Sequence, residues 1–200
     1  MKYRATLAVL LLTLCSTVVS FAWDKPKAGA PGMGNAEMEA MMKAATPGDP
    51  QKRLARRAGD WNYTSTMWMD PSQPPTKSSG TMHGVVLMGG RYFEHTWKGT
   101  FMGMPFEGRG TDGYDNVGKQ YVSSWVDTMG TGVMYQAGSC DDAGKICTYS
   151  GEVWDPMSGK KITTKSVVTW VDDNTFKNEM YGPAPDGKEM KTMELVAKRK

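Results

Sequence analysis

From Trp61 onward, strand-length runs rich in Thr, Val, Tyr and Trp alternate with short clusters of Gly, Asp, Asn and Lys. Branched and aromatic residues suit a pleated, half-buried surface, and the intervening clusters carry the chemistry of tight turns. The pattern predicts ten strands, at about 61–69, 77–88, 91–100, 104–113, 119–129, 131–140, 145–154, 160–171, 174–182 and 188–198. The turns share one device. Residues 115–119 (DNVGK), 141–145 (DDAGK) and 155–160 (DPMSGK) each set Asp early and Gly just before Lys, and Asp186-Gly187-Lys188 shortens it. The Asp carboxylate accepts backbone N–H groups at the turn's start, and Gly takes the positive φ that ends a type I turn with a bulge. Hairpin should therefore follow hairpin.

No helical segment of crossover length interrupts these runs, so the strands are expected to be antiparallel neighbours in chain order. An open ten-stranded sheet would leave two long edges of unpaired N–H and C=O groups, which closure removes. The fold class predicted is all-β: an antiparallel up-and-down barrel of about ten strands, with a short N-terminal helix. Several strands are polar on both alternations, as in Tyr121, Ser123, Trp125 and Asp127 against Val122, Ser124, Val126 and Thr128. A dry sandwich core would alternate more cleanly. A lumen lined partly by polar groups fits better.

The chain before Trp61 divides in two. Residues 1–22 combine basic Lys2 and Arg4, an apolar run from Ala5 to Val19, and the small-x-small site Ser20-Phe21-Ala22, the pattern of a cleaved secretory signal. The run is shorter than the roughly 20 apolar residues of a bilayer span and holds Thr, Ser and Cys, so no membrane span is expected in the mature protein. The predicted location is periplasmic or secreted. Residues 23–49 read as a linker holding a short amphipathic helix: Asn35 as cap, then Met38, Met41, Met42 and Ala45 on one face. That stripe is a candidate contact face for a protein partner. Asp49-Pro50 resembles the cap and first turn of a second short helix, with Gly59 as its stop. The barrel domain is placed at residues 50–200.

Removal of the signal also removes Lys2, Arg4 and Cys15. The 24 basic side chains become 22 against 21 acidic, a balance that argues against a nucleic-acid-binding face. Two basic clusters, Lys52-Arg53 with Arg56-Arg57 and Lys198-Arg199-Lys200, are read as solvated ends. Cys140 and Cys147 then remain, bracketing DDAGKI in a chain bound for an oxidising compartment. A hairpin turning at Ala143-Gly144 sets them opposite one another at a span that a disulfide can bridge.

The densest mixture of charge, aromatic residues and glycine is Gly89 to Asp115. Along its first strand Arg91, Phe93, His95, Trp97 and Phe101 share one face. Arg91, Phe93, His95 and Trp97, joined by Tyr121 and Trp125 from a later strand, are the candidate ligand-binding residues: the aromatics supply contact area, and Arg91 and His95 supply directed polar groups. Metal and catalytic sets are not found. A two-residue loop at Gly89-Gly90 would place His83 opposite Thr96 and His95 opposite Gly84, so that the histidines point opposite ways and no third is present to complete a metal site. No nucleophile elbow or phosphate-binding loop occurs, no catalytic residue is nominated, and no cofactor is expected.

The short helix running into Gly59-Asp60-Trp61, ten strands and a basic terminus together resemble the calycins, the superfamily of lipocalins and fatty-acid-binding proteins. The resemblance implies that Trp61 packs beside Arg199. More narrowly, GGRYFEH, MPFEGRGTDGYD, YVSSWVDTMGTG, DPMSGK and DGKEMKTME resemble a bacterial domain-of-unknown-function family, number 1579, thought to be calycin-like. This covers about Leu54 to Lys200; it implies a fold and leaves activity open. The reading favoured is an exported carrier of a small apolar or amphipathic ligand, with an anionic head group countered by Arg91. A structural or partner-binding envelope protein using Met38, Met41 and Met42 is second. An enzyme, or a protein holding haem through one histidine, is third.

Overall fold

All ten predicted strands form. In the computed structural model, which describes residues 34–70 and 72–200, two helices, α1 (Asn35–Ala45) and α2 (Asp49–Ala55), precede β1 (Gly59–Met67), β2 (Thr76–Leu87), β3 (Tyr92–Phe101), β4 (Met104–Asp115) and β5 (Gln120–Asp127). These are followed by β6 (Met134–Cys140), β7 (Ile146–Trp154), β8 (Lys161–Asp172), β9 (Thr175–Pro183) and β10 (Glu189–Arg199). The expected signal segment, residues 1–22, lies outside the described residues. Among the described residues no helix is long and apolar enough to cross a membrane.

Every strand pairs antiparallel with its chain neighbour, and β1 pairs with β10 to close the barrel. Among the described residues the closed barrel leaves no sheet edge for another chain to extend. The turn device operates as expected. Asp141 Oδ1 accepts from the backbone of Lys145 (2.6 Å) and Ile146 (3.1 Å), and Asp155 from Met157 and Ser158. Such bonds favour the ionised carboxylate, and both aspartates are held below their ordinary pKa. The positive φ falls on Gly144 and Gly159, but in the turn after β4 it falls on Lys119 (φ 55) and not on Gly118. The second helix is also shifted. Its cap is Gly48, whose N–H donates to Gln51 Oε1 at 2.8 Å, and Gly59 opens β1 where a helix stop was expected.

The core concentrates at the barrel end under α2. Trp61 is fully buried, edge-on to Phe176 (5.0 Å) and Trp170 (6.1 Å), and its indole N–H donates to the Arg57 carbonyl at 3.0 Å. The Arg199 guanidinium lies 4.2 Å over the indole and donates to the carbonyls of Ala58 (2.8 Å) and Arg56 (2.7 Å). Arg199 thus satisfies carbonyls that the end of α2 leaves without helical partners. The expected pairing of Trp61 with Arg199 is present.

Candidate functional site

One turn-and-helix segment positions the floor of the barrel. Gln51 is buried, with its amide donating to the Tyr114 carbonyl (3.1 Å) and Asn116 Oδ1 (3.2 Å), which seats α2 on the β4–β5 turn. Arg53 donates to the Asp142 carbonyl at 2.8 Å, and Arg56 pairs with Asp173. With α2 held on three turns, Arg57 at its end turns inward. The Arg57 side chain is only 12% exposed and bonds Asp112, itself 6% exposed, on the inner face of β4.

Arg57 and Asp112 belong to a longer buried relay. The Trp97 indole N–H donates to His95 Nδ1 at 2.6 Å, which makes Nδ1 the acceptor and leaves the ring proton on Nε2. That nitrogen lies 3.4 Å from Asp112 Oδ2, within ion-pair reach but off the line of a hydrogen bond, and no other partner meets it among the described residues. The imidazole is stacked with Phe93 (5.4 Å) and Trp125 (5.8 Å). Its edge packs over Gly110, where an added Cβ would come within 2.3 Å of the ring. Burial alone would raise the pKa of Asp112. The Arg57 guanidinium and the adjacent His95, with Ser123 as a further donor, outweigh it and hold the carboxyl far below the usual range.

Above this floor lies a cavity of about 350 Å³, within the size range of small-molecule sites. Trp97, Phe101, Phe106 and Trp125 supply aromatic wall, and methionines from five positions, among them Met180 and Met193, line it as well. Several of its polar side chains bond one another, Ser65 with Ser78 (2.7 Å) and Ser166 with Gln136 (3.2 Å), and Gln136 also donates to Thr164 (3.3 Å), whereas the lining Asn178 Oδ1 has no partner among the described residues. Burial pushes the lining Tyr149 phenol well above its ordinary pKa.

The structure brings His95, Trp97 and Trp125 to the cavity wall. Phe93 is buried one step deeper, beneath Arg57 at 4.7 Å, and Tyr121 is buried beside the small hollow between α2 and the disulfide. Arg91 is placed elsewhere. The register is the expected one, with His83 opposite Thr96 and Gly84 opposite His95, but the last pair is Leu87 with Tyr92. Arg91 therefore belongs to the turn, is exposed, and donates to the Met88 carbonyl at 2.8 Å. The expectation that it lines the lumen is corrected, and with it goes the counter-charge for an anionic head group.

Arg57, read from sequence as a solvated end, supplies the buried cation instead. Asp112 was also missed, although an aspartate in phase with Phe106, Gly108, Gly110 and Tyr114 on one strand face was a signal. His83 faces outward onto Asp60 at 2.8 Å. Cys140 and Cys147 face one another across β6 and β7 and form a disulfide. On α1 no residue is buried, and Met38, Met41 and Met42 are 49%, 56% and 61% exposed. Nor does His95 fit as an axial haem ligand: one nitrogen accepts from Trp97, and the other carries its proton toward Asp112.

Fold and cavity together define a closed ten-stranded antiparallel up-and-down barrel around an interior cavity. The chain belongs to the family described as a protein of unknown function (DUF1579), which matches residues 46–199. Among solved structures, Rv2717c from M. tuberculosis is similar over 78% of this chain and 99% of that chain, at 12% identity and a TM-score of 0.58. That likeness is one of fold. A redesigned β-barrel, mFAP1, bound to DFHBI, is similar over 74% of this chain and 98% of that chain, at 17% identity and a TM-score of 0.38. No curated protein matches the chain.

Proposed function

We propose that this protein binds a small apolar or amphipathic molecule in the barrel lumen and does so outside the cytoplasm. The cavity carries the first part. It is small-molecule-sized and largely apolar, and its walls are held open by side chains that bond one another and so do not collapse inward. An oxidised Cys140–Cys147 pair and the signal-like pattern of residues 1–22 support the second, since disulfides persist in exported proteins.

The test is extraction and mass spectrometry of ligand from protein purified out of its own host, alongside titration with an apolar fluorescent probe. One-to-one saturable binding is expected. Leu195→Trp, which adds bulk at the inner face of β10, should abolish it while circular dichroism stays unchanged. A wild-type protein that carries nothing and binds no apolar probe would overturn the reading.

A further inference from the structure

We propose that the molecule held in the lumen is an amphipathic cation, with its apolar body inside the barrel and its positive head at the mouth beside Asp127. This rests on the lumen reading above and assigns the class of head group.

Charge balance is the first observation. Arg57 is the only Lys or Arg among the described residues that line the cavity, against two aspartates, Asp112 and Asp127. Arg57 is bound to Asp112, so the wall carries one carboxylate in surplus. A carboxylate head group would meet that surplus with no cation left to receive it.

The placement of Asp127 is the second. It ends β5 at the barrel end opposite α2, and its partners are neutral: the Trp125 indole N–H donates to Oδ2 at 2.7 Å and the Met129 backbone N–H to Oδ1 at 2.8 Å. An ionised carboxylate offers about four lone-pair sites. Two donors fix its orientation and leave capacity for a ligand.

The aromatic surround is the third. Asp127 pairs across the strands with Gly108. Onto that glycine converge the Trp125 ring, which would lie 2.3 Å from an added Cβ, and the Phe106 ring, at 3.2 Å. Two π-systems thus meet beside one carboxylate that has no cationic partner among the described residues. Ring quadrupoles attract cations, and most strongly when the cation is partly desolvated. Gly108 clears the space in which both rings sit.

The test compares decyltrimethylammonium, decanol and decanoate by calorimetry at pH 8, below their micelle concentrations, on wild-type protein and Asp127→Asn. The wild type should prefer the cation to decanol and decanol to decanoate, and added NaCl should weaken the cation's binding selectively. Asp127→Asn should reduce the preference for the cation over decanol about tenfold, the scale of a lost charge-assisted contact. Two results would overturn the head-group assignment while the lumen reading stood: wild type binding decanoate as tightly as the cation, or an Asn variant with unchanged preference and an unchanged melting curve. Binding of none of the three would overturn the lumen reading itself, and this inference with it.

Discussion

The Arg57–Asp112 pair should be among the most costly contacts in the barrel to break. Its side chains are 12% and 6% exposed, so neither charge is solvated if the other is removed. Breaking a pair of this kind typically costs about 3–5 kcal/mol, because an uncompensated charge is left in the interior. That is a large share of a stability of about 5–15 kcal/mol. Arg57→Met and Asp112→Asn should each lower the free energy of unfolding in urea by about 3 kcal/mol or more. The double variant Arg57→Met/Asp112→Asn should lose well below the sum, since it buries no lone charge.

The exposed pair Lys98–Glu107, with its side chains 65% and 50% exposed, is the control, and its loss should cost under about 1 kcal/mol. The pH dependence follows from the lowered pKa of Asp112. Its contribution is fully present above the ordinary carboxylate value and is lost as pH falls through the folded one. The wild type should therefore lose stability below about pH 4 more steeply than Asp112→Asn does. Additive single losses, or an Arg57→Met cost no larger than that of the control, would refute the reasoning.

Trp61→Ala should cost about 3–5 kcal/mol in chemical denaturation, far more than Trp68→Ala, whose half-buried ring meets the Lys191 ammonium at 5.2 Å; equal losses would refute the assigned orientation. Cys140→Ser should lower stability by about 2.5 kcal/mol on the chain-entropy estimate, and denatured, unreduced wild-type protein should titrate no thiol from this pair. Gly110→Ala should cost about 1–3 kcal/mol by pushing His95 off its seat, visible as a changed imidazole signal in NMR; an unchanged signal with unchanged stability would show that the ring does not pack against Gly110.

The strands were legible because their period and their turns agree. Asp141 and Gly144 were assigned roles by type and spacing, and both roles are local. Lys119 escaped the same logic, since its neighbour Gly118 looked the better residue for a positive φ. Arg91 marks where local reading ran out: the face parity along β3 was right, but a strand beginning one residue later moved the guanidinium into the turn. Arg57 was hidden for a different reason. Four cations in six residues look like a wet helix face, and only the docking of α2 over the barrel turns this one toward a carboxylate 55 residues away. Such a contact is written in tertiary geometry, with no spacing rule to reveal it.

The bond from Arg199 to the carbonyl of Ala58 spans 141 positions, and that distance is also an interval of time. At about 5–20 residues per second, a ribosome needs on the order of ten seconds to travel from one partner to the other. Until then β1 has no β10 beside it, and the Trp61 ring lacks both the guanidinium that stacks on it and the Phe176 edge that packs against it. Hairpins from β2 to β9 can form in order as they emerge, each on microsecond timescales. The ring cannot shut until its last segment arrives. Shortening β10 by a few residues should consequently do more than fray an end: it would leave a long, sticky border on β1 open to pairing with other chains.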